Sequence, residues 1–502
     1  MTHPLSRRMF LGAAAAVSSA GEPQTSSRPN LVLYMADELR AESIGCYGHP
    51  LVKTPNIDRL AKEGVRFEQC HVQNPVCGPS RCSFATGWPV HVRGHRSLYY
   101  ALHPDEPNLF RHLKEGGYDV FWFGKNDLLA SDSFASSVTR AESRPSGGVV
   151  AANPYRPGDP MFYTFLRDRL PDRRRTTDYV NLQAAFEILK RPSDKPFCIF
   201  LPLLSPHPPY TAPEDFYDMY RAADLPPLRP PGLPRQPRFH EALRKKMRLD
   251  RLSDAEFRKV QAVYLGMVSY TDWLVGELME ALEKTNHVSD TALFLLADHG
   301  DYAGDYGLVE KWPNAMNDPL TRIPLLARVP GNRAGHVCRE MVEQFDVMAT
   351  CLELAGIPAR HTHFARSLMP QLLHAEPGDA RRAAFCEGGY NTNEPQCFEP
   401  LGDFANTANA YYPKVALQNE QPDTITRTTM IRTLEHKLIY RPDDQSEFYD
   451  LAKDPQELHN VYGDAAYAGP QADLFKQLID WYVRTSDVAP KERDSRNLPT
   501  RG

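Results

Sequence analysis

The sequence predicts an α/β protein: a large, mostly parallel central sheet flanked by helices, followed by a smaller C-terminal α+β domain that carries an antiparallel sheet. Three observations lead there. Up to about residue 360, continuous apolar runs of strand length alternate with amphipathic stretches, as in a parallel sheet covered on both faces. After about residue 380, short strands separated by turn residues replace that alternation. The chain has 502 residues, too many for one minimal core and suited to a large domain plus a smaller one.

The elements follow in order. NLVLYMADE (30–38) reads as a buried strand that stops on acidic residues. TPNIDRLAKEGVRF (54–67) offers a Thr cap, helical apolar spacing and a Gly stop. NLFRHLKEGGYDVFWFGKN (108–126) reads as a helix, a Gly-Gly break and a strand over 118–124. FCIFLPLL (197–204) is a strand that enters a Pro-rich loop, and a long helix fills 254–286. TALFLLADHGD (291–301) is a further strand ending on charge; the apolar run IPLLARVPG (323–331) and a helix within 343–357 come next. In the C-terminal part, 427–451 reads as antiparallel hairpins, and a helix near 471–485 precedes a polar tail. The expected bounds are 21–380 for the large domain, 381–486 for the smaller one and 487–502 for the tail.

A net charge of −5 argues against a nucleic-acid binder. At the N-terminus, Arg7 and Arg8 precede a short, weakly apolar run that ends in small residues. That order is the layout of a bacterial twin-arginine export leader over 1–20, with cleavage after Ala20, and it implies a periplasmic or secreted protein. No stretch reaches the length of a permanent membrane anchor. The nine cysteines show no C-x-x-C pair, and an odd number in an oxidising compartment leaves at least one unpaired or modified. In NPVCGPSRCSFATG (74–87), Cys77 therefore has four open roles: disulfide, metal ligand, thiol nucleophile or modified residue.

The chemistry-bearing residues cluster by topology. Asp37 and Glu38 follow the first strand, Lys125 the strand at 118–124, His207 the strand at 197–204, and Asp298 and His299 the strand at 291–297. The carboxyl ends of parallel strands share one edge, where ligands bind. An acidic residue after one strand is ordinarily a cap or turn; four strands each followed by a charged or metal-ligating side chain argue for a site. Three carboxylates and an imidazole repel one another without a cation, so a divalent metal is implied, and oxygen ligands favour Ca²⁺ or Mg²⁺. Arg81, Lys125 and Lys311 add positive charge for an anionic substrate group.

These segments resemble a known family. CGPSRCSFATG is similar to the type I sulfatase signature, Cys-x-Pro-Ser-Arg followed by Thr-Gly. ADELR, FGKND, SPHPPY and LLADHGDYAGDYGLVEKW resemble its further active-site blocks, in order, and EFYDLAKDPQELHNV resembles its C-terminal segment. The resemblance implies an alkaline-phosphatase-like fold and sulfate-ester hydrolysis. It implies that a formylglycine-generating enzyme converts Cys77 to Cα-formylglycine, whose hydrate attacks sulfur and then expels sulfate. By matched position, Asp37, Glu38, Asp298 and His299 become metal ligands together with the side chain at 77. Lys125 and Lys311 bind sulfate, Arg81 holds the nucleophile on a helix starting near Pro79, and His207 is the general acid. His91 is a candidate support residue, and Cys82 a small buried residue on the helix.

Three positions depart from the family pattern: Glu38 stands where a second Asp is usual, Asp127 where a His is often found, and Trp88 where Arg commonly follows Thr-Gly. The expected substrate is a sulfated carbohydrate or other small sulfate ester. Arg- and Lys-rich segments at 167–175 and 229–251 are candidates to line an entrance for a polyanion. The competing readings are a phosphodiesterase or phosphonate monoester hydrolase of the same superfamily, and a catalytically silent glycan-binding protein should Cys77 stay a thiol.

Overall fold

The computed structural model describes residues 28–143, 151–373, 383–400 and 402–491. The expected leader, the 380/381 boundary and residues 492–502 of the expected tail lie outside the described residues. Eight strands form the large sheet, in the order β4-β3-β5-β1-β6-β7-β2-β8. They are β1 (Asn30–Ala36), β2 (Val65–His71), β3 (Asp119–Phe123), β4 (Arg140–Glu142), β5 (Phe197–Leu203), β6 (Thr291–Ala297), β7 (Arg322–Arg328) and β8 (His336–Glu343). Every residue of β1, β5 and β6 is buried, which explains their uninterrupted apolar sequences. The polar strands β2, β4 and β8 lie towards the two ends of the sheet, and their composition hid them in the sequence.

One strand corrects the sequence reading. β7 is antiparallel to both β6 and β2, although its apolar run looks like its parallel neighbours. The chain from β6 to β7 carries no full crossover helix, only the four-residue helix Asp318–Thr321. It stays at the carboxyl edge and re-enters the sheet there, so β7 must run backwards.

Helices flank the sheet in two groups. Pro55–Glu63 and Thr177–Leu189 pack on the long helix Asp254–Lys284, which opens with a Ser253/Glu256 capping box. Cys77–Thr86 and Leu109–Glu115 pack on Asp346–Leu354. Thr54 occupies the cap position before Pro55 but does not cap; its Oγ1 accepts the Gly45 N–H at 2.9 Å and donates to Asp58 at 3.2 Å. Gly64 ends that helix with φ −118°, outside the left-handed region. A glycine is needed there because a Cβ would lie 2.4 Å from the Ala327 carbonyl oxygen of β7.

The second sheet is antiparallel, in the order β12-β11-β10-β9: β9 (Ala384–Gly388), β10 (Thr428–Arg432), β11 (His436–Tyr440) and β12 (Glu447–Asp450). Ile431, Leu438 and Phe448 form a small core with Leu474 and Leu478 of the helix Ala468–Thr485. Buried ion pairs bind this sheet to the large one. Lys437 Nζ donates to Asp318 Oδ1 at 2.8 Å and to Glu457 Oε1 at 2.6 Å, and Glu457 Oε2 accepts the Asp318 N–H at 2.9 Å. No described helix is long and apolar enough to cross a membrane.

Candidate active site

The first strand ends at Ala36, and the next two residues turn into the site. Glu38 adopts φ +67°, a left-handed conformation that costs a non-glycine residue about 1–2 kcal/mol. Its N–H donates to Asp298 Oδ1 at 3.1 Å, so the turn after β1 is tied to the turn after β6. The signature cysteine opens a helix: Cys77–Thr86 begins at Cys77 itself, two residues before the expected start near Pro79. Pro79 sits within the first turn, where its missing N–H would have had no helical partner. Asn74 sets the entry by accepting the Val76 N–H at 2.9 Å and donating to the Glu387 carbonyl at 2.8 Å. Cys82 is buried in the same helix, and all nine cysteines are free thiols.

Arg81, one turn after Cys77, is unexposed and clamps two carboxylates. Its Nε donates to Asp298 Oδ2 at 2.9 Å and its Nη2 to Asp37 Oδ2 at 3.0 Å. Lys125 Nζ donates to the same Asp37 oxygen at 2.6 Å and lies 2.8 Å from Asp127 Oδ2. Burial alone would raise Asp37, but Lys125, His207, Arg81 and Lys311 outweigh it and hold the carboxyl well below the usual range. Glu38 goes the other way: burial raises it well above the ordinary value, and Lys311 opposes this only in part while Asp301 and Glu310 add to it.

The Cys77 thiol donates to Asp37 Oδ1 at 3.5 Å and lies 3.2 Å from His299 Nε2 and 3.6 Å from Lys125 Nζ. Burial, reinforced by Asp37, pushes its pKa well up, so the thiol stays protonated. His299 Nδ1 is 2.8 Å from the Gly300 carbonyl, which can only accept; Nδ1 therefore carries the proton and Nε2 presents a lone pair towards Cys77. Burial keeps this ring neutral, with its pKa lowered against the pull of Asp298.

Lys311 completes the cluster. Its ammonium pairs with Glu38 Oε1, donates to Glu310 Oε1 at 2.9 Å and points at His207 Nε2 at 3.3 Å. His207 Nδ1 bonds the Pro208 carbonyl, so its Nε2 is the acceptor; burial and Lys311 pull the ring down to about 3. Asp178 anchors the end of β5 ahead of His207 by accepting the Leu204 and Ser205 N–H groups at 2.8 and 2.7 Å.

The donor set fits a divalent cation. Ligand atoms of Asp37, Cys77, Asp298 and His299 lie within 4.8 Å of one another, as do those of Asp37, Glu38, Cys77 and His207. Among the side chains that would hold a metal or clamp position 77, two buried polar atoms lack hydrogen-bond partners: the acceptor Glu38 Oε2 and the donor Arg81 Nη1. The first suits a cation and the second an anionic oxygen. Asp37, Glu38, Arg81, Asp298 and His299 are wholly unexposed, whereas Lys125, Asp127 and His207 keep about a fifth of their side-chain surface (19%, 22% and 18%). The mouth is on that side.

The structure thus brings together Asp37, Glu38, Cys77, Arg81, Lys125, Asp127, His207, Asp298, His299 and Lys311. His91 lies elsewhere: its Nδ1 bonds Glu387 Oε2 at 2.7 Å and its Nε2 faces the Thr485 carbonyl at 2.9 Å, linking the large domain to β9 and the last helix. His91→Ala is expected to cost about 1–3 kcal/mol of stability by stripping a partner from the buried Glu387, with turnover within twofold; urea unfolding beside kcat checks it. Trp88 sits at the far end of the signature helix, its Nε1–H donating to the Thr362 carbonyl at 2.7 Å. The Arg- and Lys-rich run at 229–251 is largely paired: Arg229 with Glu42 and Asp305, Arg238 with Asp423, and Lys246 with Glu420. Sequence reasoning missed Glu310, Lys414 and Asp301. Glu310 bridges Lys311 and Lys414, both buried, which holds its carboxyl down at about 2 against burial. Its position beside Lys311 was a signal; Lys414, on the helix Tyr412–Glu420, carried none.

Comparisons with known proteins agree with this geometry. The Sulfatase family model matches residues 29–357, well over half of the chain. A model of the C-terminal part of N-sulphoglucosamine sulphohydrolase matches 404–484. The chain is 24% identical to an N-acetylglucosamine-6-O-sulfatase of Bacteroides thetaiotaomicron, over 96% of this chain and 92% of that protein. It is 27% identical to a multifunctional alkaline phosphatase superfamily protein of Trinickia caryophylli, over 92% and 96% respectively. In fold it is similar to the phosphonate monoester hydrolase of Agrobacterium radiobacter, with TM-score 0.74 and 21% identity, covering 95% of this chain and all (100%) of that one. With the family model spanning both the signature helix and the strands that carry its partners, the chain belongs to the sulfatase family.

Proposed function

We propose that the site hydrolyses a sulfated carbohydrate, with Cys77 converted to formylglycine. The observation that carries this reading is the setting of Cys77: a buried side chain amid an oxygen-rich, cation-balanced cluster, 3.5 Å from Asp37 Oδ1 and 3.2 Å from His299 Nε2, where burial raises the pKa of a thiol. Such a thiol is a poor nucleophile, and the surrounding chemistry calls for an oxygen instead. The hydrated aldehyde would supply that oxygen together with a built-in route for releasing sulfate. Asp37, Glu38, Asp298 and His299 would hold the metal, a hard divalent cation such as Ca²⁺ or Mg²⁺ because the donors are mostly carboxylate oxygens. When bound, the ion supplies Lewis acidity to the sulfate and lowers the pKa of the nucleophile.

The chain's own side chains do the rest. Arg81 fixes Asp37 and Asp298 and keeps Nη1 free to orient an oxygen at position 77. Lys125 and Lys311 pair with Asp37 and Glu38, and with those carboxylates held by a metal both ammonium groups would be available to bind sulfate oxygens. His207 Nε2, neutral in the free site, gains proton affinity when an anionic ester sits beside it and delivers that proton to the leaving oxygen. Sugar sulfate as substrate is supported by the relative from Bacteroides thetaiotaomicron. Export by the leader at 1–20 belongs to the same proposal, as does modification of Cys77 by a formylglycine-generating enzyme.

Mass spectrometry of the peptide holding Cys77, from protein made in its native host, tests the reading. Formylglycine is the expected result; an unmodified thiol in active protein would overturn it, and in inactive protein would favour a glycan-binding role. Chelation is expected to remove activity and added Ca²⁺ to restore it. A phosphodiesterase or phosphonate monoester hydrolase is the second reading, suggested by the fold likeness to the phosphonate monoester hydrolase of Agrobacterium radiobacter. Ranking kcat/KM for an aryl sulfate, phosphodiester and phosphonate separates the two.

A further inference from the structure

The arginine-rich stretch at 167–175 contains two kinds of cation. Arg169, exposed, and Arg173, half-buried, face Asp218 at 2.8 Å and Asp215 at 3.4 Å. Arg167 is half-buried, and no described carboxylate forms an ion pair with it. Its guanidinium lies over the Phe162 ring, 5.9 Å from the centroid, and donates to the adjacent Leu166 carbonyl at 3.0 Å. Burial lowers its pKa, with Tyr411 opposing. A sheltered cation with no counter-ion is costly unless a ligand brings the opposite charge.

Its position points to which ligand. The Arg167 N–H donates to the Tyr210 carbonyl at 3.0 Å, and the Tyr210 N–H to the Phe165 carbonyl at 2.9 Å. Residues 165–167 therefore run beside the loop that carries His207. Tyr210 in turn donates its hydroxyl to Asp301 Oδ1 at 2.7 Å and accepts the Glu310 N–H at 2.9 Å, next to Lys311. Phe165, at φ +63°, lays its ring 4.4 Å from that of Tyr411. The Tyr411 phenol feels Glu310, Lys311 and Glu38 as well as Arg167. Tyr411 directly precedes the helix Tyr412–Glu420, whose Lys414 pairs with Glu310 beside Lys311, so the Phe165–Tyr411 contact joins the Arg167 segment to the His207–Lys311 half of the site, where the leaving group would sit.

We propose that Arg167, beside Tyr411, receives a second anionic group on the leaving portion of the sulfate ester. This rests on the sulfatase reading of the Cys77 site and narrows its substrate to a dianion. A planar guanidinium matches the paired oxygens of a carboxylate or of a second sulfate.

Binding to full-length protein carrying Cys77→Ala, followed by calorimetry, tests it with three ligands: N-acetylglucosamine 6-sulfate, glucosamine 2-N,6-O-disulfate and iduronic acid 2-sulfate. Adding Arg167→Met is expected to weaken one of the two dianions about 10- to 100-fold and the monoanion less than about threefold. Arg167→Lys should fall between. Whichever dianion loses affinity identifies the group as sulfate or carboxylate. Equal weakening of all three ligands, no weakening of any, or failure of both dianions to bind would overturn the proposal. Sulfate release from 4-nitrophenyl sulfate by the unsubstituted enzyme, and its loss with Cys77→Ala, reports separately on the sulfatase reading.

Discussion

Cys77→Ala is expected to lower sulfate release by roughly four orders of magnitude or more, because on the proposed function it removes the precursor of the nucleophile. Stability should barely change. The side chain is small, and its polar contacts are weak thiol ones: 3.5 Å to an Asp37 that Arg81 and Lys125 already neutralise, 3.2 Å to His299 Nε2 and 3.6 Å to Lys125 Nζ. Cys77→Ser should be equally inactive, since its hydroxyl restores polarity and an oxygen but not a geminal diol. Sulfate measured by ion chromatography, beside thermal melting of the same samples, checks both halves. Near-normal turnover in either variant would sink the mechanism.

Arg81→Ala is expected to have the largest effect on the folded state. It leaves Asp37 and Asp298, both unexposed, without the guanidinium that bridges them. Breaking a buried ion pair from one side typically costs about 3–5 kcal/mol. Lys125 still reaches Asp37, but Asp298 Oδ2 has no other cation bonded to it, so the deficit falls mainly on the turn after β6. A divalent cation supplies the missing charge, and added Ca²⁺ should therefore raise the melting temperature of Arg81→Ala more than that of the unaltered protein. A melting temperature unchanged by the substitution would show that the clamp is not structural.

Much of this was legible in the sequence because one topological rule did the work. Asp37, Glu38, Lys125, His207, Asp298 and His299 each follow a strand, and parallel strands place their ends on one edge. Cys77 and Arg81 were legible from local spacing, one helical turn apart. The direction of β7 was not legible, since an apolar run records burial on both faces and says nothing of polarity. Nor was Lys414: it enters the cluster from a helix about a hundred residues after Lys311, and only tertiary packing sets that approach. His91 shows the reverse error, a histidine near the signature in sequence whose ring is turned towards the last helix.

The burial of Cys77 sets an order of events. The thiol is 2% exposed, beneath the turns that carry Asp37 and His299 and at the head of a helix buried along its whole length. A modifying enzyme needs the surrounding segment extended and accessible, which the native packing forbids. The modification that the proposed function requires has to happen before the β1 and β6 turns close over the helix. Under that proposal folding is a deadline: a chain that collapses first would keep an inert thiol. The specific activity of a preparation would then record a race during biosynthesis between modification and collapse, and slowing chain closure should raise the active fraction without altering a single residue of the site.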